Sequence, residues 1–109
     1  MVRSKSEAFI ATELVAREIV FRYECLLEIE GRPYYPDFTI IHPVTHEVII
    51  WEHLGLMDKD DYIQKASAKL AVYMRNGIVP GINLIITSET DDRPLDFEMV
   101  RKMIEAYLE

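Results

Sequence analysis

Residues Tyr34–Gly55 read YYPDFTIIHPVTHEVIIWEHLG. Two apolar, strand-like runs flank a turn at His42-Pro43-Val44-Thr45-His46, and each run carries one carboxylate that a strand does not favour. Asp37 follows Pro36 near the head of the first run, from about Tyr35 to Ile41. Glu52 ends the second, which runs from Glu47 to about Leu54. A buried carboxylate is costly unless it is paired or holds a metal, so these two acids set the question for the chain.

Working outward, Arg22–Glu30 alternates Tyr23, Cys25, Leu27 and Ile29 against charged neighbours, the pattern of a half-exposed strand. Gly31-Arg32-Pro33 reads as the following turn. Three strands with short turns predict an antiparallel meander. Before them, Arg3 to about Arg17 reads as a helix with Ser4-x-x-Glu7 at capping-box spacing and Ile10, Ala11, Leu14 and Val15 on one arc. After Gly55, a helix starts at Asp58, Asp60 or Asp61 and runs to about Asn76, with Ile63, Ala66, Leu70 and Met74 as its core stripe. Asn76-Gly77 stops it. Ile82–Thr87 is nearly all apolar, as expected of a central or parallel strand. A last amphipathic helix carries Phe97, Val100, Ile104 and Leu108. The expected fold is α/β, in the order α-β-β-β-α-β-α, with a mixed four-stranded sheet flanked by helices.

The chain has 109 residues, half of them hydrophobic, which suits one packed domain over 1–109. No apolar run approaches the ~20 residues of a membrane span, and the opening MVRSKSEAFIATEL lacks the apolar stretch of a signal peptide. The single cysteine, Cys25, reads as a small core residue, and no internal disulfide is possible. An intracellular, cytoplasmic location is expected. The net charge of -7 argues against a simple nucleic-acid binder, but Thr87–Glu109 alone holds seven acids against three bases. Elsewhere the charges are nearly mixed, and a cation at Asp37 and Glu52 would neutralise two more acids.

Side chains alternate along strands. Asp37 shares a face with Thr39 and Ile41, and Glu52 shares one with Val48, Ile50 and Leu54. Paired through the turn, the start of one strand lies beside the end of the other, making Asp37 and Glu52 cross-strand neighbours. Taken singly, Asp37 reads as a turn aspartate and Glu52 as an exposed strand end. Taken together, at mirrored ends of one hairpin, they read as a metal site. Oxygen ligands favour Mg²⁺ or Mn²⁺. Glu7 either only caps the first helix or points inward as a third acid. His42, His46 and Cys25 have no zinc-site spacing.

Pro36-Asp37, with Glu52 fifteen residues after the aspartate in this order of elements, resembles the PD-(D/E)XK nuclease superfamily. RSKSEAFIATEL, YPDFTI and WEHLG together look like the restriction-endonuclease-like domain sometimes fused to DNA helicases. The resemblance covers nearly the whole chain. It implies a Mg²⁺-dependent DNA endonuclease in which Asp37 and Glu52 hold the metal, Glu7 completes the site and the backbone carbonyl of His53 contacts the ion. The His53 ring should face away from the metal, although the break at Gly55 leaves room for it to swing inward. The family expects a lysine two residues after the glutamate, where this chain has Leu54. Some members supply it from the next helix, which nominates Lys69 first and Lys65 second. Lys69-x-x-x-Tyr73 also has the spacing of a family Gln-x-x-x-Tyr motif. Arg3, Lys5, Lys69 and Tyr73 are the candidate nucleic-acid contacts, each with an ordinary structural reading beside it. Tyr34, Tyr35 and Trp51 read as core or partner surface rather than as a stacking platform. A homodimer or a helicase-like partner would extend the small footprint. The alternative is a catalytically inactive module that binds nucleic acid or protein. An RNA substrate remains a further option.

Overall fold

The chain enters α1 (Lys5–Ala16) at Ser4, whose hydroxyl accepts a hydrogen bond from the Glu7 backbone N–H at 3.1 Å. This satisfies one of the donors that a helix start leaves open. The computed structural model describes residues 4–109, so the candidate contact Arg3 lies outside the described residues. Ile10 and Leu14 are buried along α1, whereas Val15 faces solvent, so the apolar arc is narrower than the sequence pattern suggests.

The strand expected over Arg22–Glu30 is two strands. β1 (Phe21–Tyr23) ends where Glu24 takes a φ of 51°, and the chain resumes as β2 (Leu27–Ile29), paired antiparallel with β3 (Arg32–Tyr34) in a separate hairpin. The Glu24 N–H donates to the Asp37 carbonyl at 3.1 Å, which fixes the corner. The hairpin turns on Glu30 and Gly31, with φ of 55° and 73°. Positive φ at both central residues matches the twist of the flanking strands. Arg32 and Pro33, expected in the turn, belong to β3 instead. Cys25 sits half-buried at the corner and is not part of the core.

Tyr35, Pro36 and Asp37 separate β3 from β4 (Phe38–Ile41), so the second strand starts later than expected. β4 pairs antiparallel with β5 (Val48–Leu54) and with β1. α2 (Asp60–Arg75) crosses over to β6 (Leu84–Ser88), which pairs parallel with β5, and α3 (Phe97–Leu108) closes the chain. The result is a mixed four-stranded sheet of order β1-β4-β5-β6. β6 is parallel as expected but lies at the edge. It begins two residues late, because Asn83 closes a turn onto Val79 and leaves Ile82 exposed. With the β2–β3 hairpin set aside, the elements run α1, β1, β4, β5, α2, β6, α3.

Two apolar clusters sandwich the sheet. On one face α1 and α3 pack Ile10, Leu14, Val100, Ile104 and Leu108 against Phe38, Trp51 and Ile85. On the other, Tyr73 and Leu70 of α2 and Ile29 of the hairpin pack against Ile50 and Leu84. Met74, expected in the α2 stripe, is exposed, and Tyr73 takes the buried position. Phe97 is half exposed and stacks on Phe9, with ring centroids 3.8 Å apart. Among the described residues no helix is long and apolar enough to cross a membrane.

Candidate active site

The β4–β5 register pairs Phe38 with Trp51, so one step further along the ladder Asp37 lies opposite Glu52. The Asp37 carboxylate accepts a 2.6 Å hydrogen bond from the His53 backbone N–H. Burial, followed by the negative charge of Glu52, pushes the Asp37 carboxyl up to about 7, against the pull of that N–H. Glu7 adds to the repulsion.

Glu52 is only 2% exposed, on the sheet face covered by α2. An unpaired charge there would be strongly destabilising. Lys69 supplies the countercharge, with Nζ 3.0 Å from Oε1 and 2.9 Å from Oε2. The Tyr73 hydroxyl donates to Oε2 at 2.6 Å. Burial, and then the Glu52 charge, raise the Tyr73 pKa, so its hydroxyl stays protonated as a donor. The Tyr73 ring is fully buried. It therefore orients Glu52 and presents no surface to a nucleic acid, contrary to the contact expected of it.

Asp37, Glu52 and Lys69 face a cavity of about 760 Å³ that Glu7, Lys65 and Tyr62 also line. Lys65 is exposed, one turn before Lys69 on α2. Glu7 enters from α1, and its carboxylate accepts from the Tyr23 hydroxyl at 2.6 Å. Lys5 is exposed on the first turn of α1 and does not line the cavity.

His53 turns its ring to the opposite sheet face, as strand alternation requires. Nε2 lies 2.6 Å from Glu89 and Nδ1 lies 2.8 Å from the Thr87 hydroxyl. The Thr87 hydroxyl also accepts from the Trp51 indole at 3.1 Å, and the Ser6 hydroxyl donates to Glu89. Burial pushes the Glu89 carboxyl up, but the hydrogen bonds from Ser6 and His53 outweigh it and leave the carboxyl below its usual value. The ring is thus locked between β6 and α1, and it does not swing into the cavity. The His53 backbone serves the other face: its N–H holds Asp37 and its carbonyl accepts from the Tyr62 hydroxyl at 3.4 Å.

The donor chemistry fits a hard divalent cation. Asp37 and Glu52 are carboxyl oxygen donors on one face, a cation between them would offset the burial and the Glu52 charge that raise Asp37, and the His53 carbonyl lies at the same strand end. Among the described residues no three His, Cys, Asp or Glu side chains are gathered as a metal-holding group, and Glu7 lines the cavity that Asp37 and Glu52 face.

The helical wheel puts Tyr62 in one stripe with Lys69 and Tyr73 without giving it a role, and the alternating pattern reads Glu24 as a solvent-facing strand residue; both line the cavity. Tyr62 accepts from the Gly55 N–H at 3.0 Å and ties α2 to the end of β5. It lies two turns before Lys69, so the helical wheel carried a signal for it. Glu24 lines the cavity because the chain bends at its positive φ, which the alternating pattern around it conceals. No protein-family model matches the chain, and no curated protein matches it in sequence.

Proposed function

We propose that the chain is a Mg²⁺- or Mn²⁺-dependent DNA endonuclease domain with the α-β-β-β-α-β-α core of the PD-(D/E)XK superfamily. The observation that carries this reading is Glu52. It is a buried strand carboxylate beside Asp37, gripped by a lysine and a tyrosine from the next helix and facing an open cavity. The order of elements in the main sheet and its helices supports the same reading. Leu54 cannot supply a cation. Lys69 reaches the same carboxylate from α2, and this supports it as the replacement for the motif lysine, with Lys65 as the outer cation.

Asp37, Glu52 and the His53 carbonyl would hold the metal. A bound Mg²⁺ or Mn²⁺ supplies a water of lowered pKa and positive charge for the phosphorane-like transition state. The chain's own groups do the rest. The His53 N–H fixes the rotamer of Asp37, Tyr73 fixes that of Glu52, and Lys69 holds a positive charge where the attacking water must be oriented. A homodimer or a helicase-like partner would extend the DNA footprint of so small a domain.

The test is cleavage of single-stranded, duplex and branched DNA over a range of Mn²⁺ concentrations, with Mn²⁺ binding followed by calorimetry. Asp37→Ala should lose both cleavage and Mn²⁺ binding. Lys69→Met should keep binding and lose about 10²-fold or more in cleavage rate. An Asp37→Ala protein that cuts like the parent overturns the reading.

One observation favours the second reading, an inactive binding module. The Glu52 charge is already balanced inside the protein by Lys69. Under that reading the parent binds nucleic acid or protein with no metal requirement and cuts nothing.

A further inference from the structure

Among the described residues, the cavity beside Asp37 and Glu52 is lined by four carboxylates (Glu7, Glu24, Asp37 and Glu52) but only two lysines (Lys65 and Lys69). A protein that tracks regular duplex DNA typically neutralises about 6–10 phosphates with lysine and arginine. Among the described residues this cavity has no such track. Its volume of about 760 Å³ lies in the range of nucleotide-sized ligand pockets.

One large aromatic side chain at this cavity stands out by its exposure. Tyr35 is 54% exposed, although its neighbours are anchored on both sides. Tyr34 packs edge-on against the buried Tyr73, with centroids 6.0 Å apart, and Pro36 is fully buried. The backbone on either side of Tyr35 is therefore fixed, and the ring is held at the cavity wall on a rigid mount. Trp51 and Tyr34, grouped with it in the sequence pattern, go into the two apolar clusters instead. A single exposed aromatic is ordinary on a protein surface. One on an anchored segment, lining the same cavity as a paired-carboxylate site and an exposed lysine, has the parts of a stacking platform: a π-face for a base and a cation for its phosphate.

We infer that the cavity takes a single-stranded polynucleotide, with an unpaired base stacked on Tyr35 and an adjoining phosphate near Lys65. The inference rests on the nuclease reading and narrows its substrate from DNA in general to unpaired strands, ends or flaps. With carboxylates outnumbering lysines, a phosphate enters only when a divalent cation offsets the acids.

The test uses fluorescence anisotropy of a labelled oligothymidylate, the same strand paired with oligodeoxyadenylate, and a labelled oligouridylate. Ca²⁺ replaces Mg²⁺ so that binding is read apart from cleavage. The single strand should bind more tightly than the duplex, and chelation should abolish binding. Tyr35→Ala should weaken single-strand binding by about 5- to 150-fold, the range for loss of one base–aromatic stack, while Tyr35→Phe retains it. Thermal melting should be the same for both variants, since the ring is exposed. The logarithm of affinity should fall with the logarithm of salt at a slope of about -1.4 or shallower, the value for two neutralised phosphates on a single strand. Tyr35-dependent binding of oligouridylate equal to or tighter than that of oligothymidylate supports the stacking site and assigns it to RNA. Duplex bound as tightly as single strand, Tyr35→Ala without effect, or no binding of either strand overturns the inference. The two readings fail separately. Mn²⁺-dependent cleavage with Tyr35-independent binding removes only the single-strand inference. Tyr35-dependent binding by a protein that never cleaves removes only the catalytic reading.

Discussion

A carboxylate as deeply buried as Glu52 needs donors, and it draws them from two residues four apart on one helix face. Of the two, Tyr73 lends itself to a clean deletion, because phenylalanine keeps the packing against Tyr34 and Leu84 and removes only the hydroxyl. A hydrogen bond to a charged, buried acceptor contributes about 1.5–3 kcal/mol. Tyr73→Phe should therefore lower the urea midpoint by an amount corresponding to about 2 kcal/mol with an unchanged m-value, which equilibrium unfolding reads directly. The proximity of Asp37 to Glu52 was legible in the sequence because strand parity and one short turn determine it. The pairing of Lys69 with Glu52 was suggested by the missing lysine at Leu54 rather than by the helix itself. The partners of His53 were not legible: Thr87 and Glu89 come beside it only through the parallel β5–β6 register, which no local pattern encodes.

Among the elements, the β2–β3 hairpin is the one the sequence misrepresents. Tyr23, Cys25, Leu27 and Ile29 keep a period of two across a corner, so the run looks like one strand while its halves join different sheets. A non-glycine residue at positive φ, here Glu24, gives no compositional warning. The core stripe of α2 was misread for a related reason. Met74 and Tyr73 lie about 100° apart on the wheel, on either side of Leu70, and it is Tyr73 that hydrogen-bonds to Glu52 across the interface. The hairpin is tied to α2 by Glu30, which accepts from Arg75 at 2.7 Å through both Nε and Nη2, and from Asn76 at 2.6 Å. The Arg75 hydrogen bonds first, and that from Asn76 second, hold the Glu30 carboxyl down to about 2 from an ordinary value of 4.5. A lowered carboxyl stabilises the fold above its unfolded pKa and loses that contribution as pH falls through the folded one. The stability gap between the parent and Glu30→Gln should thus be present at neutral pH and close between about pH 4.5 and 2, measured by urea unfolding at successive pH values. The pair is exposed, so the gap is modest and shrinks with salt.

At the scale of the whole molecule, the α/β class, the mixed sheet and the three helices were readable from periodicity and turn residues, because β4, β5, β6 and the helices are each one contiguous run bounded by turn signals. The division of the sheet into two clusters with opposite tasks was not, because it depends on which helices cover which face. The net charge of -7 acts on the whole molecule through self-repulsion. Raising NaCl from about 10 to 150 mM shortens the Debye length from ~30 to ~8 Å. The melting temperature should rise by about 2–4 °C, a shift of roughly half a kcal/mol for a domain of this size, as followed by circular dichroism. β5 carries the largest consequence of this layout. Its neighbours Glu52 and His53 serve opposite faces, the first tied to α2 and the second to β6 and α1. Deleting one residue between Val48 and Trp51 would bring His53 to the acid site and Glu52 to the indole side, and adding one there would turn both side chains to the wrong faces as well. The length of Val48–Leu54 is thus held by the two faces as firmly as the residues at Glu52 and His53 themselves.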